Sequence, residues 1–162
     1  MKLKIKDQLP DTEIFQLVDG EPQKSKLREP IGDGKVVLFG LPGAFTSTCS
    51  KLHLPGFVAN ADKIKAKGIE HIFCLSVNDP YVMNGWGEIN NTGDKIRMLS
   101  DPYLSFTKSI GAEVDRNAKG MGIRSNRYLM VIENFTIVNI YVEKETKECG
   151  LTSAENLLNN LI

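Results

Sequence analysis

Residues 36–41, Val-Val-Leu-Phe-Gly-Leu, form an uninterrupted apolar run that Pro42-Gly43 closes, which reads as a short strand buried on both faces. A strand of that kind sits in the middle of a sheet with helices on either side, so this run constrains the whole chain. Residues 70–77, Glu-His-Ile-Phe-Cys-Leu-Ser-Val, give a second buried strand. Between the two, Thr46, Ser47 and Thr48 offer hydroxyl N-caps, and Leu52, Phe57, Val58 and Ala59 fall on helical spacing. Pro55-Gly56 should kink that helix or restart it. The unit is strand, helix, strand.

The pattern continues with Asn78-Asp79-Pro80, which opens a helix through Val82, Met83 and Trp86, and with a short strand over 96–99. Ser100-Asp101-Pro102 then starts a helix through Leu104, Phe106 and Ile110, and 117–125 reads as a glycine-rich loop. Residues 128–132 and 137–142 are β-rich runs close enough to form an antiparallel hairpin. A capping box at Thr152 and Glu155 begins a last helix through Leu157, Leu158 and Leu161. Together these predict an α/β fold with a central mixed sheet flanked by helices on both faces, the arrangement of thioredoxin-like domains.

With 162 residues and 41% hydrophobic side chains, one domain over 1–162 can bury a core without disulfide or metal support. Twenty basic residues balance twenty acidic ones, which argues against nucleic acid or an anionic membrane as partner. The N-terminus alternates charge with apolar residues and has no signal-peptide or membrane-spanning stretch, so the expected location is cytoplasmic. Three scattered cysteines fit reduced thiols better than a disulfide framework.

Several motifs fall away. Cys49 and His53 are spaced like a metal-ligand pair on one helical face, but no further Cys or His cluster completes a site, so no metal is expected and His53 is read as structural. Gly120-Met121-Gly122 and Gly32-Asp33-Gly34-Lys35 lack the spacing of nucleotide-binding loops, and no cofactor is implied. The absence of Cys-x-x-Cys excludes a dithiol oxidoreductase.

Cys49 remains. It lies one step past three hydroxyl residues, at the first turn of a helix that begins beyond the carboxyl end of a buried strand. Free amide N–H groups and the helix dipole favour an anion there, and the thiolate is the nucleophilic form of cysteine. Ligands of open α/β sheets also collect at that end of the strands. Position alone leaves a second reading open, that of a small buried hydrophobe.

The segment from Pro42 through Gly43, Ala44, Phe45, Thr46, Ser47 and Thr48 to Cys49 resembles the active-site signature of peroxiredoxins, in the wording of the type II, atypical subfamily. Residues 51–57, 74–80 and 124–128 are similar as well, and the resemblance spans about Leu9 to Leu161. It implies a thiol peroxidase acting on hydrogen peroxide or small alkyl hydroperoxides. Cys49 would be the peroxidatic nucleophile, Arg127 the guanidinium beside it, Thr46 the hydroxyl that bonds the peroxide, and Pro42 a shield over the pocket. Taken singly, the last three are also what an ion-pair partner, a helix cap and a strand stopper look like.

Oxidised Cys49 must be reduced before it climbs to sulfinic acid. Some relatives carry a resolving cysteine just after Gly-Leu-Thr, where this chain has Ser153 after Gly150-Leu151-Thr152. Cys149 in the same loop and Cys74 in the second strand are the remaining candidates. The economical reading is a one-cysteine cycle in which glutathione, glutaredoxin or thioredoxin supplies electrons. The resemblance also implies a homodimer, formed near Phe45 and Pro80. The rival from another class is a peroxide sensor that passes a disulfide from Cys49 to a client protein; an unreactive structural domain is a third.

Overall fold

The computed structural model describes residues 1–161. A seven-stranded mixed sheet in the order β2-β1-β5-β4-β3-β8-β9 forms the centre. Its middle strands are β3 (Val36–Gly40), β4 (His71–Ser76) and β5 (Arg97–Ser100), parallel to one another and joined by helices α2 (Leu54–Ala66) and α3 (Pro80–Ile89). The two apolar runs behave as their composition predicts: all five residues of β3 are buried, and alternate ones enter different cores. Val37 and Phe39 pack with Phe57, Ile64, Trp86 and Leu157 on one face. Val36 and Leu38 pack with Ile31, Phe106 and Ile132 on the other. Helices α2, α3 and α5 (Ala154–Asn160) thus cover one face, and α1 (Arg28–Ile31) and α4 (Ser105–Ser109) contribute to the other.

The predicted hairpin is present as β8 (Tyr128–Glu133) and β9 (Thr136–Val142), with Asn134 and Phe135 both at positive φ in the turn. Strand β8 runs antiparallel to β3, and its first residue, Tyr128, stands opposite the last residue of β3, Gly40. The Tyr128 ring lies so close over Gly40 that a Cβ there would sit 2.1 Å from the ring carbon Cζ. Glycine at 40 is therefore a packing requirement inside an otherwise ordinary strand. This register brings the carboxyl end of β3 and the amino end of β8 to one end of the sheet, beside the carboxyl ends of β4 and β9.

Four local expectations are corrected. The sheet gains an N-terminal hairpin, β1 (Glu13–Val18) and β2 (Glu21–Lys26), around Asp19-Gly20, whose φ values of 51° and 80° suit a tight turn. The glycine-rich loop contains β7 (Ile123–Ser125), which pairs with β6 (Glu113–Asp115) in a separate two-stranded sheet. Helix α4 begins later than Pro102 because the Asp101 carboxylate accepts from the amides of Phe106 and Thr107, and Leu104 turns left-handed before it. The last helix is capped by Ser153, whose hydroxyl accepts from Asn156 N–H at 3.1 Å, while Thr152 is drawn inward. It ends at Asn160; Ile162 lies outside the described residues. No helix among the described residues is long and apolar enough to cross a membrane.

Candidate active site

The chain leaves β3 through Pro42 and a tight turn in which Phe45 adopts a positive φ of 62°. A non-glycine residue there carries strain, and the surroundings must hold it. They do: Ala44 N–H donates to Asn78 Oδ1 at 3.0 Å, and Arg124, whose Nη1 donates to the Val77 carbonyl at 2.7 Å, packs against Gly43. The Thr46 hydroxyl donates to the Gly43 carbonyl at 2.7 Å. It does not cap the helix; its proton is committed to the turn, and the residue lines the cavity beside it.

The helix that follows starts as a π-turn over Cys49–His53, in which Leu54 N–H reaches back to the Cys49 carbonyl. Pro55 explains the change of pitch, since it has no N–H to continue an α ladder through this turn. The wider turn puts both Cys49 and His53 inward, at 0% and 1% exposure.

Arg127, the residue before β8, reaches the same place from the neighbouring strand. Its Nη2 donates to Cys49 Sγ at 3.3 Å and to the Thr146 carbonyl at 2.8 Å. Its Nη1 donates to His53 Nδ1 at 2.8 Å, so the imidazole proton lies on Nε2, which donates to the Thr152 carbonyl at 2.9 Å. Burial first, and then the adjacent guanidinium, lower the His53 pKa to about 3, leaving a neutral ring. Arg127 itself is 1% exposed, and among the described residues no carboxylate pairs with it. A buried guanidinium without a counter-ion is rare; here the group able to supply the negative charge at hydrogen-bond distance is the Cys49 sulfur.

The segment 143–152 straps this arrangement. Its carbonyls at Thr146, Lys147 and Thr152 accept from Arg127, Thr48 and His53 in turn. Buried Glu143 fastens the strap by accepting from Gly150 N–H, Thr152 N–H and the Thr152 hydroxyl. A cavity of about 300 Å³ is lined by Pro42, Thr46, Thr48 and Arg127, among others, and reaches the buried sulfur through Arg127, whose Nη2 donates to it. A larger concavity of about 650 Å³, between β1, β5 and α3, holds no cysteine and lies away from this chemistry.

The sequence-predicted residues Pro42, Thr46, Cys49 and Arg127 therefore meet at one point. Cys74 does not join them at the cavity: it is fully buried mid-strand, and burial raises its pKa well above the ordinary thiol value. Cys149 lies in the strap, half-buried, with its pKa also raised, chiefly by burial. All three cysteines are free. His53, set aside from sequence, is the residue that reasoning missed. Its spacing from Cys49 was visible, but its partner is Arg127, far along the chain. No group of three or more potential metal ligands exists among the described residues.

Comparison with known proteins identifies the family. The family described as Redoxin matches residues 4–158. Peroxiredoxin-2D of Arabidopsis thaliana is 38% identical over 156 residues, 96% of each chain. The reduced Prx3 of Vibrio vulnificus in complex with H2O2 superposes with a TM-score of 0.93 at 41% identity, covering 99% of both chains. The Plasmodium falciparum antioxidant protein, a 1-Cys peroxiredoxin, superposes with a TM-score of 0.89 at 29% identity, covering 96% of both.

Proposed function

This chain belongs to the Redoxin family and is a peroxiredoxin, a thiol peroxidase, and from that premise we propose that Cys49 is its peroxidatic nucleophile, oxidised by the peroxide and reduced by an external thiol. The observation that carries this reading is the buried Arg127 guanidinium, unpaired with any carboxylate among the described residues and donating to the Cys49 sulfur at 3.3 Å. It stabilises the thiolate and, in the same fork, the charge that develops on the peroxide oxygens.

The substrate enters beside Pro42 and Thr46. A peroxide O–H donates to the Thr46 oxygen, whose own proton is held by Gly43, and this orients the oxygen nearer the sulfur for attack. The sulfur–oxygen bond forms as the oxygen–oxygen bond breaks. The departing oxygen takes up a proton to leave as water from hydrogen peroxide or as an alcohol from a small alkyl hydroperoxide. Pro42, buried and without an N–H, limits access of water to the sulfenic acid. His53 holds Arg127 in place and remains neutral.

The other two cysteines support reduction by a separate thiol. Cys74 and Cys149 both stay protonated at neutral pH, and a thiol is a poor attacking group. Either could resolve the sulfenic acid only after the π-turn or the strap opened. Glutathione, alone or through glutaredoxin, or thioredoxin is the donor class this implies. A relative that is itself a 1-Cys peroxiredoxin supports the same economy. A compartment that keeps the three thiols reduced, the cytoplasm, completes the reading. A second copy of the chain is its partner, covering Phe45, Leu52 and Tyr81, which stand exposed around the same end of the sheet.

The test is to mix reduced protein with one equivalent of hydrogen peroxide, block thiols within a second, and map the cysteines by peptide mass. Cys49 alone protected from alkylation, as a sulfenic acid, is the expected result. A disulfide to Cys149 or Cys74 would name a resolving residue instead, and a fully alkylated Cys49 would end the proposal. A mixed disulfide with one client protein, without turnover on small thiols, would favour the sensor.

A further inference from the structure

The cavity lined by Arg127 adjoins a second of about 410 Å³, and Arg116, Lys119, Thr146 and Lys147 line both. The second cavity brings together Arg116, Lys119, Lys144 and Lys147 against one carboxylate, Glu145, which is already paired with Lys147 at 2.9 Å. Among the described residues Arg116, Lys119 and Lys144 are in no ion pair. The whole chain has a formal net charge of zero, so this positive excess is local. Two independent segments build it: the turn after β6, closed by Arg116 N–H on the Gly122 carbonyl at 2.8 Å, and the strap fastened by Glu143. Uncompensated like charges around a concavity raise the local concentration of small anions and steer them inward.

We propose that this cationic groove binds the carboxylates of a small anionic thiol and thereby selects the reductant of oxidised Cys49. The inference rests on the reading of Cys49 as the residue that becomes a sulfenic acid. With its carboxylates on Lys119, Lys144 and Arg116, a tripeptide-sized thiol can extend its sulfur past Thr146 into the inner cavity, beside the Arg127 guanidinium that bonds Cys49 Sγ. Volumes of this order suit ligands of that size, about 300–1,000 Å³ in ordinary binding sites. A long-chain anionic hydroperoxide fits less well, because Val114 is the one apolar side chain lining the outer cavity. In the step itself the thiolate of the bound reductant attacks Cys49 Sγ, a sulfur–sulfur bond forms, and the sulfur–oxygen bond breaks. The oxygen leaves as hydroxide and takes a proton to become water. A second thiolate attacks the outer sulfur, releasing the low-molecular-weight disulfide and the Cys49 thiolate, so two thiols supply the two electrons.

The single tryptophan gives a readout, since Trp86 Nε1 donates to the hydroxyl of Ser50, next to Cys49, at 3.0 Å. Stopped-flow fluorescence with one equivalent of hydrogen peroxide gives the oxidation phase. Adding glutathione, neutral 2-mercaptoethanol or cationic cysteamine then gives the reduction phase. The ratio of the glutathione and cysteamine rate constants cancels general changes in reactivity. Relative to the wild type, this ratio should fall about tenfold in K119E/K144E, within the range of electrostatic steering. Raising the salt from ~0.05 to ~0.5 M should shrink the wild-type ratio. Lys147→Gln, checked by circular dichroism, is the milder second variant and should lower the ratio in the same direction. An unchanged ratio in both variants overturns the groove while leaving the peroxidase reading standing. A loss confined to reduction by a dithiol protein overturns it as well. Absence of the oxidation phase in the wild type removes the premise, and the groove proposal with it.

Discussion

At the scale of single residues the site turns on a neutral histidine bonded to a buried arginine. His53 has its pKa lowered to about 3 from 6.5, so the native state refuses a proton that the unfolded chain accepts. Its contribution to stability is complete above pH 6.5 and is lost as pH falls toward 3. The loss approaches about 1.4 kcal/mol per pH unit. Above pH ~5 most carboxylates of the unfolded chain are still ionised, so the histidine slope can be seen alone there. Urea unfolding of wild type and His53→Gln at pH ~5 and ~7 should show the slope flattened in the variant, with His71 titrating equally in both. Parallel slopes would mean that His53 is not held neutral. This residue was only half legible in the sequence. Cys49, Thr46 and Pro42 lie in one contiguous motif and could be read together. The role of His53 depends on Arg127, 74 residues away, and no local pattern carries such a bond.

At the scale of elements, the site is a matter of register. Gly40 opposite Tyr128 sets where β3 stops and where Arg127 begins. Gly40→Ala forces the Tyr128 ring aside and should cost about 1–3 kcal/mol, seen as a lower urea midpoint. It should also slow the oxidation of Cys49, because Arg127 adjoins the displaced ring; an unchanged midpoint would show that the ring has room to yield. The central strands were legible because they are buried on both faces and their apolar runs are unbroken. Strand β2 was not: Glu21, Pro22, Gln23 and Lys24 are all exposed, so no alternation marks it. The strap over 143–152 was equally hidden, because its order comes from one buried carboxylate, Glu143, whose partners lie seven and nine residues away.

At the scale of the whole molecule, neutral composition concealed local order. The balance of charges excluded a global field, yet the fold gathers Arg116, Lys119, Lys144 and Lys147 at one mouth and leaves Phe45, Leu52 and Tyr81 exposed near the same end. Pairing of two copies through those apolar side chains predicts a dimer by sedimentation equilibrium and a shift toward monomer in Tyr81→Glu. A monomeric wild type at micromolar concentration would sink the pairing. The pairing of Gly40 with Tyr128 also has a consequence for biosynthesis. A nascent chain carries Cys49 out of the ribosome long before Arg127, His53 and the strap's carbonyls can assemble around it. Until β8 docks, no guanidinium donates to that sulfur, so the polar surroundings of Cys49 are among the last products of the chain's own folding.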